Sequence, residues 1–161
     1  MVRPRLKMRL GDLLVHEGVI KEEQLKKALA EQRNTGQKLG YVLTELGFLS
    51  EQQLLAFLAQ QLNVPLVDIS EKRLDPNVAR ILPEVQARRH RALILEADDD
   101  RALVGMSDPA DLNAVDAISA IVSPRVVELA VVAEGQLMDS FDNLYRRTQE
   151  IEQFAQQLQE E

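Results

Sequence analysis

Cysteine and tryptophan are absent, and aromatic residues make up only 4% of the chain. Without cysteine there is no disulfide, no thiolate metal ligand and no cysteine nucleophile, a composition that suits a reducing compartment. So few rings leave little of the stacking surface on which binders of single-stranded nucleic acid depend. Long apolar runs are also lacking, since none approaches the ~18 residues that would read as a membrane span. The opening MVRPRLKMRLGDLL threads basic residues through the apolar ones and has no apolar core of signal-peptide length, so the expected location is the cytoplasm. A phosphate-binding G-x-x-x-x-G-K-[ST] loop is missing as well. NTGQKLG at 34–40 has neither its spacing nor its hydroxyl, so ATP hydrolysis is not expected of this chain.

What is present fits a folded protein of at most two small subdomains: 161 residues, 45% apolar and 28% charged, enough to bury a core. The net charge of −7 hides an asymmetry. Residues 1–63 hold 9 Lys+Arg against 7 Asp+Glu, and residues 64–161 hold 10 against 19, giving +2 and −9. An acidic whole argues against general DNA binding, where phosphate neutralisation supplies most of the affinity. Arg3, Arg5, Lys7 and Arg9 crowd near the N-terminus, either as a solvated basic tail or as a seat for a small anion.

The strongest signal is an internal repeat. Residues 9–32, RLGDLLVHEGVIKEEQLKKALAEQ, align without a gap on residues 38–61, KLGYVLTELGFLSEQQLLAFLAQQ, with 10 of 24 positions identical. The identities are Leu10, Gly11, Leu14, Gly18, Glu22, Gln24, Leu25, Leu29, Ala30 and Gln32, each matched 29 residues later. Each copy reads as a short helix, a glycine stop and a longer helix. Gly18 and Gly47 stand where a helix ends in the left-handed conformation, followed by the apolar pairs Val19-Ile20 and Phe48-Leu49. Ser50 with Gln53 makes a capping box in the second copy, whereas Lys21 makes a weaker start in the first. Leu25, Leu29 and Gln32, and likewise Leu54, Leu58 and Gln61, share one helical face. Leucines at this spacing usually build core, but a covered amide must find hydrogen-bond partners. Gly11 and Gly40 fall at helix starts, where a missing side chain would let an anion approach free backbone N–H groups. Together the copies predict two helical hairpins lining a groove for an elongated, roughly two-fold ligand with flat faces and negative charge.

After Asn63 the pattern changes to α+β. PLVDI at 65–69 is a short apolar run, and 91–107 reads as a hairpin around Asp98-Asp99-Asp100. Pro76 to Arg89 reads as one or two short helices with Pro83 at a start, and Pro109 is expected to open a helix to about Ala120. A strand at 125–133 and a helix from Glu134 onward complete a small, mainly antiparallel sheet with helices on one face. The expected divisions are a helical subdomain at 1–63, an α+β subdomain at 64–147 and a helical linker at 148–161. Three adjacent aspartates at a hairpin tip cannot all converge on one cation, and no calcium loop is present. His16 and His90 stand alone in different halves, which gives no metal pair and no catalytic arrangement, so no cofactor is expected. Helix-turn-helix DNA binding would need a basic recognition face, but the second helices carry Leu25, Ala28 and Leu29 or Leu54, Phe57 and Leu58.

The motif RLGxxLxxxGxxxxxxLxxxLxxQ, with its second copy five residues on, resembles the MshEN-type N-terminal domain of type II secretion and type IV pilus assembly ATPases. NVPLVDIS at 63–70, LPEVQARRHRALIL at 82–95 and LVGMSDPADLNAVDAI at 103–118 are similar to the same family, so the resemblance covers roughly residues 8–147. It implies a regulatory receptor for cyclic dimeric GMP rather than an enzyme, joined to a C-terminal ATPase domain of the same polypeptide. The implied ligand-binding residues are Arg9, Leu10, Gly11, Leu25, Leu29 and Gln32 in one copy and Lys38, Leu39, Gly40, Leu54, Leu58 and Gln61 in the other. Asp108, in the SDP turn, resembles the family's carboxylate that reaches the ligand from the second subdomain. Arginine suits a bidentate bond to guanine or a phosphate, leucine a base face, and carboxylate the guanine N1–H and N2–H. Lys38 departs from the pattern, replacing a planar fork by a point charge. The resemblance also implies a place at the inner membrane through the assembly machinery. An inner-membrane platform protein is the possible partner in the alternative reading, an adaptor that docks the ATPase without binding nucleotide.

Overall fold

The computed structural model describes residues 6–160, and the side chains of 147–151 and 160 fall outside that description. Arg3 and Arg5 lie outside the described residues. The chain divides into two compact units at Asn63–Val64.

The first unit is four helices, α1 (Leu10–His16), α2 (Glu22–Thr35), α3 (Leu39–Glu45) and α4 (Glu51–Leu62). Both short helices end in the same hydrogen-bonded stop. Gly18 and Gly47 have φ +76°; Gly18 N–H donates to Val15 O and Val19 N–H to Leu14 O, and Gly47 and Phe48 repeat the pattern on Thr44 and Leu43. This pair of bonds satisfies the last carbonyls of each helix and needs a left-handed residue that only glycine adopts without cost. Ser50 caps α4 as expected, its Oγ accepting from Gln53 N–H at 3.1 Å while Gln53 Oε1 accepts from Ser50 N–H at 2.9 Å. In the first copy only half of that box exists: Gln24 Oε1 accepts from Lys21 N–H at 2.8 Å, and a lysine side chain has no acceptor to return. Leu13, Leu14, Ile20, Leu25, Ala28, Val42, Leu43, Leu49 and Phe57 form the core of this unit.

The second unit holds α5 (Pro76–Ala79), α6 (Glu84–His90), β1 (Ala92–Ala97), β2 (Arg101–Met106), α7 (Leu112–Val122), β3 (Val126–Val131) and α8 (Glu134–Glu160). The α+β class expected from the sequence is the one observed, but the sheet is mixed rather than mainly antiparallel. β1 pairs antiparallel with β2 through the acidic turn, whereas β3 runs parallel to β2 because α7 carries the chain back across the sheet. PLVDI forms no strand beyond one bridge, Leu66 to Val131. The helix expected from Pro109 starts later, at Leu112, because Asp111 accepts from Ala114 N–H and so makes the better cap. Pro83 is the cap residue of α6 rather than its first helical residue. α8 runs as one helix from Glu134 to Glu160.

Helices α5, α6 and α8 pack against β1, and α7 packs against β3. Leu93, Ile94, Val104, Met106, Val115, Ile118, Leu137 and Phe141 are fully buried among them. Tyr145 anchors α8, its hydroxyl donating to Leu82 O at 2.8 Å, and burial pushes its ionisation up to about 12. The Arg88 guanidinium lies 5.6 Å from the centre of the Phe141 ring and bonds Glu84 and Asp142, which fastens α6 to α8.

Candidate functional site

The candidate residues of the helical unit come in twin positions, and the fold treats them as twins. Arg9 and Lys38 are the residues that enter α1 and α3, with nearly equal backbone angles (φ −58°, ψ 144° and φ −66°, ψ 145°). Their carbonyls accept the first helical bonds, from Leu13 N–H at 3.0 Å and Val42 N–H at 3.1 Å. Both side chains are exposed. The next two residues, Leu10-Gly11 and Leu39-Gly40, cross over between copies. A Cβ added at Gly11 would lie 2.5 Å from Leu25 Cδ1 of its own copy and 3.0 Å from Leu39 Cδ2 of the other. One added at Gly40 would lie 2.8 Å from Leu54 Cδ2 of its own copy and 3.9 Å from Leu10 Cδ2 of the other. Each Leu-Gly pair therefore presents its glycine to the partner pair's leucine. This is the reciprocity expected of a two-fold axis, here built within one chain.

That packing corrects one expectation. Both glycines are buried, and the space left by the missing side chain is filled by leucines of the protein itself rather than kept open for an anion. Their first role is steric, letting the starts of α1 and α3 lie close against α2, against α4 and against each other. The remaining apolar candidates grade outward from that contact. Leu25 and Leu58 are buried, while Leu10, Leu29, Leu39 and Leu54 are half-buried. Gln32 and Gln61, one near the end of each long helix, are also half-buried. The ends of the two long helices differ. α2 runs three residues past Gln32 to a left-handed Gly36 (φ +70°), whereas α4 stops one residue past Gln61 at a left-handed Asn63 (φ +54°).

Asp108 belongs to the second unit, in the Ser107-Asp108-Pro109 turn that follows β2. It is half-buried, and its carbonyl accepts from Asp111 N–H at 3.2 Å. The other acidic feature of that unit is structural. Asp98 Oδ1 accepts from Asp100 N–H and Arg101 N–H at 2.8 Å each, and these backbone bonds, chiefly, lower its pKa from the ordinary carboxylate value. A carboxylate so engaged closes the hairpin. Among the described residues no group of three or more His, Asp and Glu could hold a metal, and no helix is long and apolar enough to cross a membrane.

Reading residues along the sequence found the twin positions but missed the cross-copy pairing of Leu10 with Gly40 and Leu39 with Gly11. Its only trace in the sequence is that the Leu-Gly dipeptide recurs intact. Leu14 and Leu43, identical in the two copies, turn out to be wholly buried core.

The chain is similar to several known proteins. A structure of MshE with cdg (cyclic dimeric GMP) is 49% identical, with a TM-score of 0.77, over 86% of this chain and 100% of that one. The N-terminal domain of XpsE has the same fold, with a TM-score of 0.66 at 20% identity over 88% of this chain and 97% of that one. The type IV pilus assembly ATPase PilB of Myxococcus xanthus is 29% identical over 137 residues, which are 85% of this chain and 24% of that protein. PilB of Thermus thermophilus is 30% identical over 111 residues, 69% of this chain and 12% of that protein. The chain thus spans about a quarter or less of the curated relatives it matches. The MshEN domain profile matches residues 62–151, most of the α+β unit, and the likeness to MshE, over 86% of the chain, reaches into the helical unit. By both measures the chain belongs to the MshEN domain family.

Proposed function

We propose that the paired repeats bind one molecule of cyclic dimeric GMP and that the chain serves as the regulatory input of a type IV pilus or type II secretion assembly ATPase in the cytoplasm. The observation that carries this reading is the likeness to MshE with cyclic dimeric GMP, at 49% identity across the whole of that chain. The internal two-fold relation of the Leu-Gly pairs supports it, because a ligand made of two identical halves is best matched by a surface made of two equivalent halves.

In this reading each residue has a chemical task. Arg9 and Lys38, exposed at equivalent helix entrances, supply the cations. Leu10, Leu25 and Leu29, with Leu39, Leu54 and Leu58, supply apolar faces for the two bases around Gly11 and Gly40. Gln32 and Gln61 offer amide donors and acceptors, and Asp108 in the second unit is a carboxylate with the chemistry to pair with guanine N1–H and N2–H. Arg9 can make a planar two-pronged bond where Lys38 offers only a point charge, so the first copy contributes the larger share of the polar recognition. Coupling to an ATPase follows from differential affinity: a nucleotide that binds one state of the domain better shifts the population toward it.

Isothermal titration tests the proposal. Cyclic dimeric GMP is expected to release or absorb heat with a stoichiometry of one per chain, while cyclic dimeric AMP and GTP bind far more weakly. Arg9→Ala should weaken the interaction by about 10-fold or more, the usual weight of a charge-assisted bidentate contact. Absence of binding to the intact chain would remove the receptor reading and leave the adaptor reading in its place.

A further inference from the structure

The helical unit spends its aromatic residues unevenly. Of its three Phe and Tyr side chains, Phe57 is buried, Phe48 is half-buried and Tyr41 is 46% exposed. The twin of Tyr41, 29 residues earlier, is Asp12, which is also exposed, so the hairpin itself does not require a ring at that place. Among the described residues the Tyr41 side chain makes no hydrogen bond, and no other ring packs on it. Thr44 Oγ1 donates to its backbone carbonyl instead, at 2.8 Å. A large ring left half in water, with no structural task, is surface available to a ligand.

Its position narrows what that ligand is. Tyr41 stands three residues after Lys38 and directly follows Gly40 on α3. Residues three apart are neighbours on a helix surface, and helical side chains lean toward the N-terminus of their helix. The ring is thereby carried toward the end of α3 where the exposed Lys38 and the half-buried Leu39 stand. The two copies therefore differ in what accompanies the entry cation. Arg9 has a carboxylate three residues on, which repels an anionic ligand, whereas Lys38 has a phenol with a flat, uncharged face. The ring occurs in the copy whose cation lacks the planar fork.

We propose that the Tyr41 ring stacks on the guanine base held by the second copy and supplies there a share of the affinity that Lys38, as a point charge, does not. The inference rests on the receptor reading given above. Every base has a π-face, so a stacked ring adds affinity without choosing the base, and the choice of guanine stays with the polar groups.

Tyrosine emission tests it, because the chain has no tryptophan and only two tyrosines. The other, Tyr145, is buried, with its hydroxyl on Leu82 O. Emission of the wild-type chain is expected to fall as cyclic dimeric GMP is added. The same additions to Tyr41→Phe, which keeps only Tyr145, should change emission no more than absorption by the nucleotide does. In calorimetric titrations run alongside, Tyr41→Phe should bind within about 2-fold of wild type, and Tyr41→Ala should bind about 5-fold or more weakly, the lower end of what one base–aromatic stack is worth. Circular dichroism checks that both variants are folded. Calorimetric binding with unchanged wild-type emission and full affinity in Tyr41→Ala would overturn the inference and leave the receptor reading standing. Tyr41→Phe losing as much as Tyr41→Ala would overturn the stack and assign the contact to the hydroxyl. No heat from the wild-type chain would remove the receptor reading and this inference together.

Discussion

The two copies of the repeat agree inside and differ outside. Their stops at Gly18 and Gly47, their buried Leu14 and Leu43 and their crossed Leu-Gly pairs correspond in kind, while the helix caps and the entry cations do not. Even in the core the copies share a job without sharing a residue, since Ala28 of one corresponds to Phe57 of the other and both are buried. What has been preserved is the set of residues needed to hold two hairpins in a two-fold relation. The difference teaches that the crossed Leu-Gly pairs and the helix stops repeat from copy to copy, while the caps and the entry cations vary.

The largest effects should fall where the copies agree. Leu14→Ala and Leu43→Ala each remove a wholly buried side chain, and each is expected to cost about 3 kcal/mol in chemical denaturation. Values within about 1 kcal/mol of one another would support equivalent cores, and a much larger cost on one side would break the comparison. Next come the glycines. Gly11→Ala forces a methyl to 2.5 Å from the buried Leu25 and 3.0 Å from Leu39, whereas Gly40→Ala meets the half-buried Leu54 at 2.8 Å, a side chain with more room to turn. Overpacking of about 1–3 kcal/mol, partly offset by about 1 kcal/mol of gained helix propensity, leaves Gly11→Ala the more damaging of the two in thermal melts.

Smaller differences should appear where the copies diverge. Ser50→Ala removes a side-chain cap from α4 and should cost about 1 kcal/mol, while Lys21→Ala at the matching position should change the thermal midpoint little, because Lys21 accepts nothing from its helix. The smallest expected change is in ligand affinity at the entry cations. Lys38→Arg restores the planar fork and should tighten cyclic dimeric GMP by a few-fold, and Arg9→Lys should loosen it by a comparable factor. Opposite signs at the two sites are the expected pattern in a competition titration.

The features legible in the sequence are those decided locally. Glycine after a short apolar helix, Ser-x-x-Gln before a long one, and leucines at helical spacing each act within a turn or two, so the four helices and their stops could be read residue by residue. The acidic turn between β1 and β2 was legible for the same reason, with Asp98 folding back onto its own backbone. Other features depend on partners distant in the chain. Val126–Val131 reads as a strand, but its parallel direction is set by the α7 crossover. Pro109 was a plausible helix start until Asp111 offered a hydrogen bond two residues later. Gly11 and Gly40 were recognised as positions of close approach, yet what approaches is Leu25 and Leu39 or Leu54 and Leu10, which only the tertiary fold reveals. For the site, the sequence supplied the twin residues, and the fold added the reciprocal packing that makes them a pair.

If the two copies act as halves of one site, the same loss placed in either half must weaken the same ligand. Calorimetric titration of cyclic dimeric GMP into the chain and into Gln32→Ala and Gln61→Ala, the two half-buried amides, tests this directly. The account predicts one ligand per chain and a comparable loss of affinity from each substitution. Two ligands per chain, or a loss from one glutamine with none from its twin, would contradict it.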